Sequence, residues 1–407
     1  MYISIPVDTL IIICYKPTHS ILFTEKDQTM KSKERVIAAL NHREPDRVPT
    51  GENAVDYLLT EKILGRPTLC NARWKEIEAL WDGQRGKLVA DYGQTHIDLV
   101  RTLDWDYVRV PAAPKDKTYS RPQMTGPHSW IDDEGNEVCF YAEHGSIITR
   151  AERRDMSIDD LPDPYDDFRV DPSEMDIVRT VVSELKDSHF IIGRPPVDGT
   201  FPFVETVGME EYLLRMMVEP DFVTHAMEAY TARSLAYIDA MIDAGCDAIM
   251  TTDDYSDNEG PIMGPKLFER FILPGIVRQA EAIHAKGAYF IKHTDGNTWK
   301  IMDMLIEAGI DGWHGIQPSI GMDMGRLKEN YGDMICFFGG VNCETLIAGS
   351  PDDVRMEVRT AIDQAAPGGG LVVASGNVLQ PGVVLDNYLA GLKMVKEYGK
   401  YPIGGIL

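Results

Sequence analysis

The chain has no Cys-x-x-Cys pair; its six cysteines, Cys14, Cys70, Cys139, Cys246, Cys336 and Cys343, fall at irregular spacings. That excludes a disulfide framework and a cysteine-rich structural zinc site, and a reducing cytoplasm is the expected compartment. No run of about 18 apolar residues occurs, so no membrane-spanning helix is expected. No cluster of Lys and Arg longer than two residues offsets a formal charge of −24, from 40 basic against 64 acidic side chains. A surface of that sign repels phosphates, so nucleic acid is not an expected partner. A phosphate loop, a GxGxxG after a strand, a GxSxG and an HExxH are all missing, which weakens kinase, dinucleotide-dehydrogenase, α/β-hydrolase and zincin readings. What is present is a 407-residue chain, 44% hydrophobic and 26% charged, ample for a large folded core.

The text changes character at Met30. Before it, Leu10 to Tyr15 is an apolar run too short for a signal-peptide core of about 7–15 residues, and no basic region precedes it. After it, Ser32 to Leu40 reads as an amphipathic helix. The expectation is a non-native or disordered leader over 1–29, with Met30 the natural start, and one domain over 30–407.

Eight short β-rich runs follow, at 47–51, 106–110, 189–193, 247–251, 288–292, 310–314, 334–338 and 370–374. Each leads into a loop rich in Gly, Asp, Asn or Pro, and most then enter a helical pattern. In the second half, helices at 220–244, 265–286 and 298–308 each stop at a glycine (Gly245, Gly287, Gly309) before a strand. The helix at 351–366 stops at Pro367 to Gly370 in the same way. Eight strands between helices imply a (β/α)8 TIM barrel, with an open doubly wound sheet as the alternative. Between strands 2 and 3, residues 130–141 alternate around a Gly-Asn turn and 146–150 can pair with them. These predict an inserted antiparallel β excursion.

In such a barrel the reactive groups sit at the carboxyl ends of the strands. This nominates Glu52 and Asn53 after the first strand, Asp198 after the third, and Asp253 and Asp254 after the fourth. It also nominates His293 and Asp295 after the fifth, Gln317 after the sixth, Asn342 and Cys343 after the seventh, and Asn377 after the eighth. Five carboxylates and an imidazole can bind a divalent metal or do acid–base work. His293 with Asp295 two residues on can face one way from an extended segment, which suits zinc or an oriented general base. The bland alternative is that His293 caps its strand and Asp295 caps the next helix. Asp253 and Asp254 open an acidic loop, either solvated or charge-compensated; Cys343 is a thiolate ligand or simply a helix start. His314 lines the pocket or packs. Near the second strand lie His96, Arg101 and Arg109, where an arginine could hold a substrate carboxylate or a structural ion pair.

The segment from Lys33 to Pro49 resembles the start of the uroporphyrinogen decarboxylase superfamily, which includes corrinoid-dependent, zinc-containing methyltransferases. The resemblance resumes at Gly208 to Leu213 with Glu219-Pro220, at His293 to Asn297, at Phe338 to Asn342, at Pro367 to Gly370 and at Tyr398 to Pro402. It implies a (β/α)8 barrel and reaches nearly everything from Met30 onward. Two departures argue against haem synthesis. The Arg-rich segment that grips porphyrinogen carboxylates reads here as Gly51 to Tyr57, with the acids Glu52 and Asp56 and no arginine, and a late Gly-His pair reads Gly376-Asn377. The zinc methyltransferases use a His-x-Cys pair and a distant Cys. Here His293 matches the histidine, Asp295 stands for the first thiolate and Asn377 lies near the second. The resemblance therefore implies an oxygen-rich site of His293 and Asp295 with a Glu or Asp from another strand end, suited to a small methoxylated methyl donor, with Asp253 and Asp254 polarising or positioning it. It further implies a corrinoid supplied by a partner protein, and a homodimer. The alternatives are a decarboxylase or lyase on a small carboxylic acid, and a catalytically silent barrel that binds a corrinoid or tetrapyrrole.

Overall fold

The computed structural model describes residues 30–132, 135–141, 146–150 and 156–404; the expected leader lies outside them. Seven parallel strands form one curled sheet: β1 (Tyr107–Pro111), β6 (Phe190–Arg194), β7 (Ala248–Thr252), β8 (Tyr289–His293), β9 (Gly312–His314), β10 (Cys336–Val341) and β11 (Leu371–Ser375), in that order. Intervening in sequence are β2 (Met124–Gly126), β3 (Ser129–Ile131), β4 (Glu137–Tyr141) and β5 (Ser146–Arg150). They make a separate antiparallel meander between the second and third expected strands. The excursion therefore has four strands, one more than the alternation at 130–150 predicts.

The first expected strand, at 47–51, does not form; Thr50 makes only an isolated parallel bridge to Val373. The physical reason is local. Pro49 has no N–H to give a ladder, and the Thr50 N–H donates to the Asp106 carboxylate at 2.8 Å instead of to a strand. The segment still spans the space between the two edge strands. The Pro49 carbonyl accepts from Val373 N–H at 2.9 Å and the Thr50 carbonyl from Asp106 N–H at 2.7 Å.

Alternate side chains of the parallel strands point to opposite faces, and each face has its own core. Tyr107, Phe190, Ile192, Ala248, Met250, Ile291, Cys336, Phe338 and Val372 form one apolar cluster, closed underneath by Val36, Ala39 and Leu40 of the helix Ser32–Leu40. Val108, Val110, Ile191, Ile249, Phe290 and Trp313 face outward into the helical layer. The inner cluster fixes the level of the next inward residues: Arg109, Arg194, Thr252, His293 and His314 stand above it at the carboxyl ends of their strands. Among the described residues no helix is long and apolar enough to cross a membrane.

The meander is tied to the rest by aromatic rings. Trp130 and Phe140 pack on Trp74 and Trp81 of the helix Trp74–Trp81, with centroids 5.3–6.2 Å apart. Arg73, which opens that helix, is held at φ 41°, a conformation non-glycine residues rarely adopt.

Candidate active site

Above the inner core lies a cavity of ≈250 Å³, lined among others by Asn53, Arg73, Arg109, Arg194, Asp254, His293 and Asn377. A larger groove of ≈770 Å³ runs beside the seventh expected strand, past Asn342, Glu344 and Glu357. It holds none of the imidazoles or arginines, so the chemistry is sought in the smaller cavity.

At its floor, His293 ends β8 with 6% of its surface exposed. Its Nε2 lies 3.6 Å from Asp295 Oδ1 and 3.8 Å from Asp254 Oδ1. The three residues offer donor atoms that all fall within 4.8 Å of one another. Asp254 is placed by the Asp295 N–H, which donates to its Oδ1 at 2.9 Å. Asp295 is placed by Asn377, whose Nδ2 donates to Oδ2 at 2.5 Å. The other carboxylate oxygen, Oδ1, is buried with no hydrogen-bond partner. Behind His293, its Nδ1 meets the Nδ1 of His314 at 2.7 Å.

Electrostatics set the protonation of this group. Burial first, then the charges of Arg109, Lys292 and Arg194, push His293 down to about 3, so the imidazole is neutral. His314 is lowered by burial and by His293 and Arg109. Burial and the neighbouring Asp254 raise Asp295 to about 7. A neutral imidazole, two carboxylates and an orphaned buried oxygen between them are a donor set that fits a divalent cation. Three protein ligands leave a position open, as in catalytic zinc sites.

The remaining nominated residues go elsewhere. Asp198 (8% exposed) pairs with Lys292, which is wholly buried beneath the site, and accepts from Thr200 Oγ1 at 2.5 Å. Asp253 sits beside it, accepting from Phe201 N–H at 3.0 Å; burial and Asp198 hold its carboxyl well above the usual range. Both face the outer, helix-side layer with Lys292, one residue out of phase with His293. Glu52 is buried against Ser375, accepting from its Oγ at 2.6 Å, and burial raises it to about 8. It therefore does not present an acid to the cavity. Gln317 accepts from Gly296 N–H at 2.9 Å and supports the loop. Asn342 hydrogen-bonds Glu357 at 3.0 Å in the larger groove. Cys343 gives its thiol to the Val378 carbonyl at 3.6 Å, and burial raises it to about 11; it is not in the His–Asp–Asp cluster. Asn53 and Asn377 do line the cavity.

Arg101 is on the surface, paired with Glu184 at 2.9 Å, and His96 donates to the Tyr92 carbonyl at 2.8 Å. His96, Arg109 and Arg194 all line the cavity. Arg194 escapes a reading that ends its strand at Gly193. Strand parity is the signal that finds it, since Phe190, Ile192 and Arg194 share one face.

With the geometry in place, comparison with known proteins adds the lineage. The family model for uroporphyrinogen decarboxylase (URO-D) matches residues 134–398. The chain belongs to the uroporphyrinogen decarboxylase family. It is 24% identical over 249 residues to a uroporphyrinogen decarboxylase of Bordetella petrii, covering 53% of this chain and 64% of that one. It is 23% identical over 195 residues to the methylcobamide:CoM methyltransferase MtaA of Methanosarcina barkeri, covering 48% and 54%. These matches thus span less than two thirds of either relative. Among solved structures, a methyltransferase from Methanosarcina mazei superposes with a TM-score of 0.66 at 18% identity, over 91% of this chain and 99% of that one. That likeness concerns the fold. Family members with names of both kinds, decarboxylase and methyltransferase, are enzymes, and the candidate site of this family member lies at the carboxyl ends of its parallel strands.

Proposed function

We propose that the protein is a zinc-assisted methyltransferase, moving a methyl group from a small methoxylated donor to a corrinoid carried by a partner protein. The single observation behind this reading is the convergence of His293, Asp295 and Asp254 on one point at the end of β8. The likeness to a methylcobamide:CoM methyltransferase, whose methyl donor is a methylated corrinoid, supports a corrinoid as the methyl carrier.

His293, Asp295 and Asp254 would hold the zinc. When bound, it supplies Lewis acidity at the donor's ether oxygen, which an oxygen-rich ligand set suits better than thiol activation. The chain's own residues do the rest. His314 Nδ1, accepting the proton of His293 Nδ1, leaves Nε2 of His293 unprotonated and facing both carboxylates. Asn377 turns Asp295 so that Oδ1 points at the same place. The cavity walls confine the donor. In the transfer the donor's C–O bond would break with its electron pair kept by oxygen, which takes a proton from water and leaves hydroxide, while the methyl group passes as a cation equivalent to the two-electron-reduced corrinoid of the partner protein. A cavity of ≈250 Å³ is smaller than the roughly 300–1,000 Å³ typical of drug-sized ligands, which disfavours a tetrapyrrole substrate and so the haem-pathway decarboxylation.

The test is metal analysis joined to a turnover assay. Zinc-repleted protein is expected to hold near-stoichiometric zinc and to convert cob(I)alamin to methylcobalamin, followed by absorbance, with methoxylated donors. His293→Ala is expected to lose both while keeping its fold. Zinc-free protein after repletion, or a His293→Ala variant with full zinc and turnover, would overturn the assignment.

A further inference from the structure

The cavity has a cationic side, lined by Arg73, Arg109 and Arg194. Arg109 is 9% exposed; its Nη1 donates to the Asn53 carbonyl at 3.2 Å, and its Nε is buried without a partner. Arg194 Nε is also buried without a partner. Among the described residues neither guanidinium is paired with a carboxylate. The contrast with the other buried cations is what decides the matter. Arg35 is held by Asp46 and Asp106 at 2.6 and 2.5 Å, Arg215 by Glu211 at 2.9 Å, and Lys292 by Asp198. This fold pairs the cations it buries for structural reasons.

Strand geometry brings the two together. β1 and β6 are adjacent and parallel, with Arg109 opposite Ile192 and Pro111 opposite Arg194. Arg109 and Arg194 are therefore neighbouring inward side chains at the same rim, and Arg73 lines the same cavity. Burial and the charge of Arg194 hold Arg109 well below its usual range, and burial and the charge of Arg73 lower Arg194. Uncompensated buried charge is destabilising unless something supplies the opposite sign.

We propose that Arg109 and Arg194 form an anion subsite that binds a carboxylate of the substrate, with Arg73 at its edge. A carboxylate matches the planar fork of a guanidinium and its two oxygens can serve both arginines. A single charge is also what the site can take, because Asp254 lines the same cavity. The placement of the reacting methoxy group at the His293 end rests on the function proposed above; the subsite itself does not. A substrate of this kind is a short bipolar molecule, acid at one end and methoxy at the other.

The experiment uses the full-length protein stripped of metal with a chelator, so that zinc chemistry cannot influence it. Binding of acetate, methoxyacetate, benzoate and 4-methoxybenzoate is measured by calorimetry or ligand-observed NMR, each beside its uncharged amide, with inorganic phosphate as a further probe. At least one acid is expected to bind about tenfold or more tightly than its amide, the factor worth one charge-assisted hydrogen bond. Arg194→Gln and Arg109→Gln are expected to abolish that preference, and Arg109→Lys to keep part of it. Should Arg109→Gln fail to fold, Arg194→Gln carries the test. Arg194→Met is further expected to raise the melting temperature of the ligand-free protein, since it removes a charge that only the ligand answers; a structural arginine would lower it. The proposal falls if no acid is preferred to its amide, if phosphate binds more tightly than every carboxylate, or if the preference survives in Arg194→Gln. Loss of zinc binding with acid preference intact would sink the methyltransfer reading and leave the subsite standing.

Discussion

At the scale of single residues, the site is governed by what burial does to charge. His293 is kept neutral by its surroundings, whereas a surface histidine titrates near neutrality. Glu52 shows the same physics in a place with no obvious chemistry. It is buried against Ser375 and its carboxyl is raised from 4.5 to about 8. The folded state therefore holds a proton that the unfolded chain releases earlier. Its stabilising contribution is complete below about 4.5, falls as pH rises, and is gone above about 8. Glu52→Gln is expected to remove this fall. Chemical denaturation of the two proteins from pH 4 to 9 checks it: the variant should gain on the parent as pH rises, and parallel curves would refute it. Lys292 and His293 make a second residue-level lesson. Adjacent in sequence, they face opposite sides of one strand, so one serves the helical layer and the other the cavity.

At the scale of elements, the short loop after β8 carries the site, and a glycine on the neighbouring strand makes room for it. Gly315 follows β9 at φ 106°, and a Cβ there would lie 2.4 Å from the Thr294 carbonyl oxygen and 2.9 Å from Asp295 Oδ1. The oxygen it would strike is the unpartnered one that faces His293. Gly315→Ala is thus expected to lower zinc affinity by about tenfold or more, the size of effect seen when the support of a metal ligand is disturbed. Gly321→Ala is the matched control. It has a similar positive φ of 89° but open space around it, so it should cost about 1–3 kcal/mol in stability and leave zinc affinity unchanged. Equal zinc affinities in the two variants would contradict the role given to Gly315. The antiparallel meander acts at this scale too, since its aromatic packing on Trp74 and Trp81 holds the helix that begins at Arg73 on the cavity rim.

Across the whole molecule, the carboxyl ends of the strands hold the candidate site and the opposite end is structural. Asp106, wholly buried, receives Arg35 at 2.5 Å, Arg47 at 2.7 Å and the Thr50 N–H at 2.8 Å. It ties the first helix, the segment at 47–51 and the start of β1 together, standing in for the strand that does not form. Asp106→Ala would leave two largely buried guanidinium groups short of a partner and one backbone donor unsatisfied. A loss of roughly 3–5 kcal/mol is expected from removing one side of a buried ion pair. Denaturant unfolding measures it, while zinc content of the protein that still folds should match the parent. Lost zinc at unchanged stability would mean that the two ends are not independent.

Much of this was legible in the chain itself. Periodicity and the glycine stops located seven of the eight expected strands, because a buried parallel strand needs a short apolar run and a helix needs an end. Placing polar residues after those runs brought His293, Asp295, Asp254, Asn53 and Asn377 into view together. Strand parity gives the face a strand residue takes, but sequence order could not say which way the loop residues past the strand ends turn, nor what stands beside them. Asp198 looked equivalent to Asp295 until Lys292 claimed it, Glu52 looked like a cavity acid until Ser375 and burial took it, and Cys343 turned its thiol to a carbonyl. Arg109 and Arg194 lie 85 positions apart and became a pair only because β1 and β6 are neighbours. Local pattern decides what a segment becomes, since it acts through bonds a few residues long. The company a side chain keeps, and hence its charge and chemistry, is set by tertiary packing.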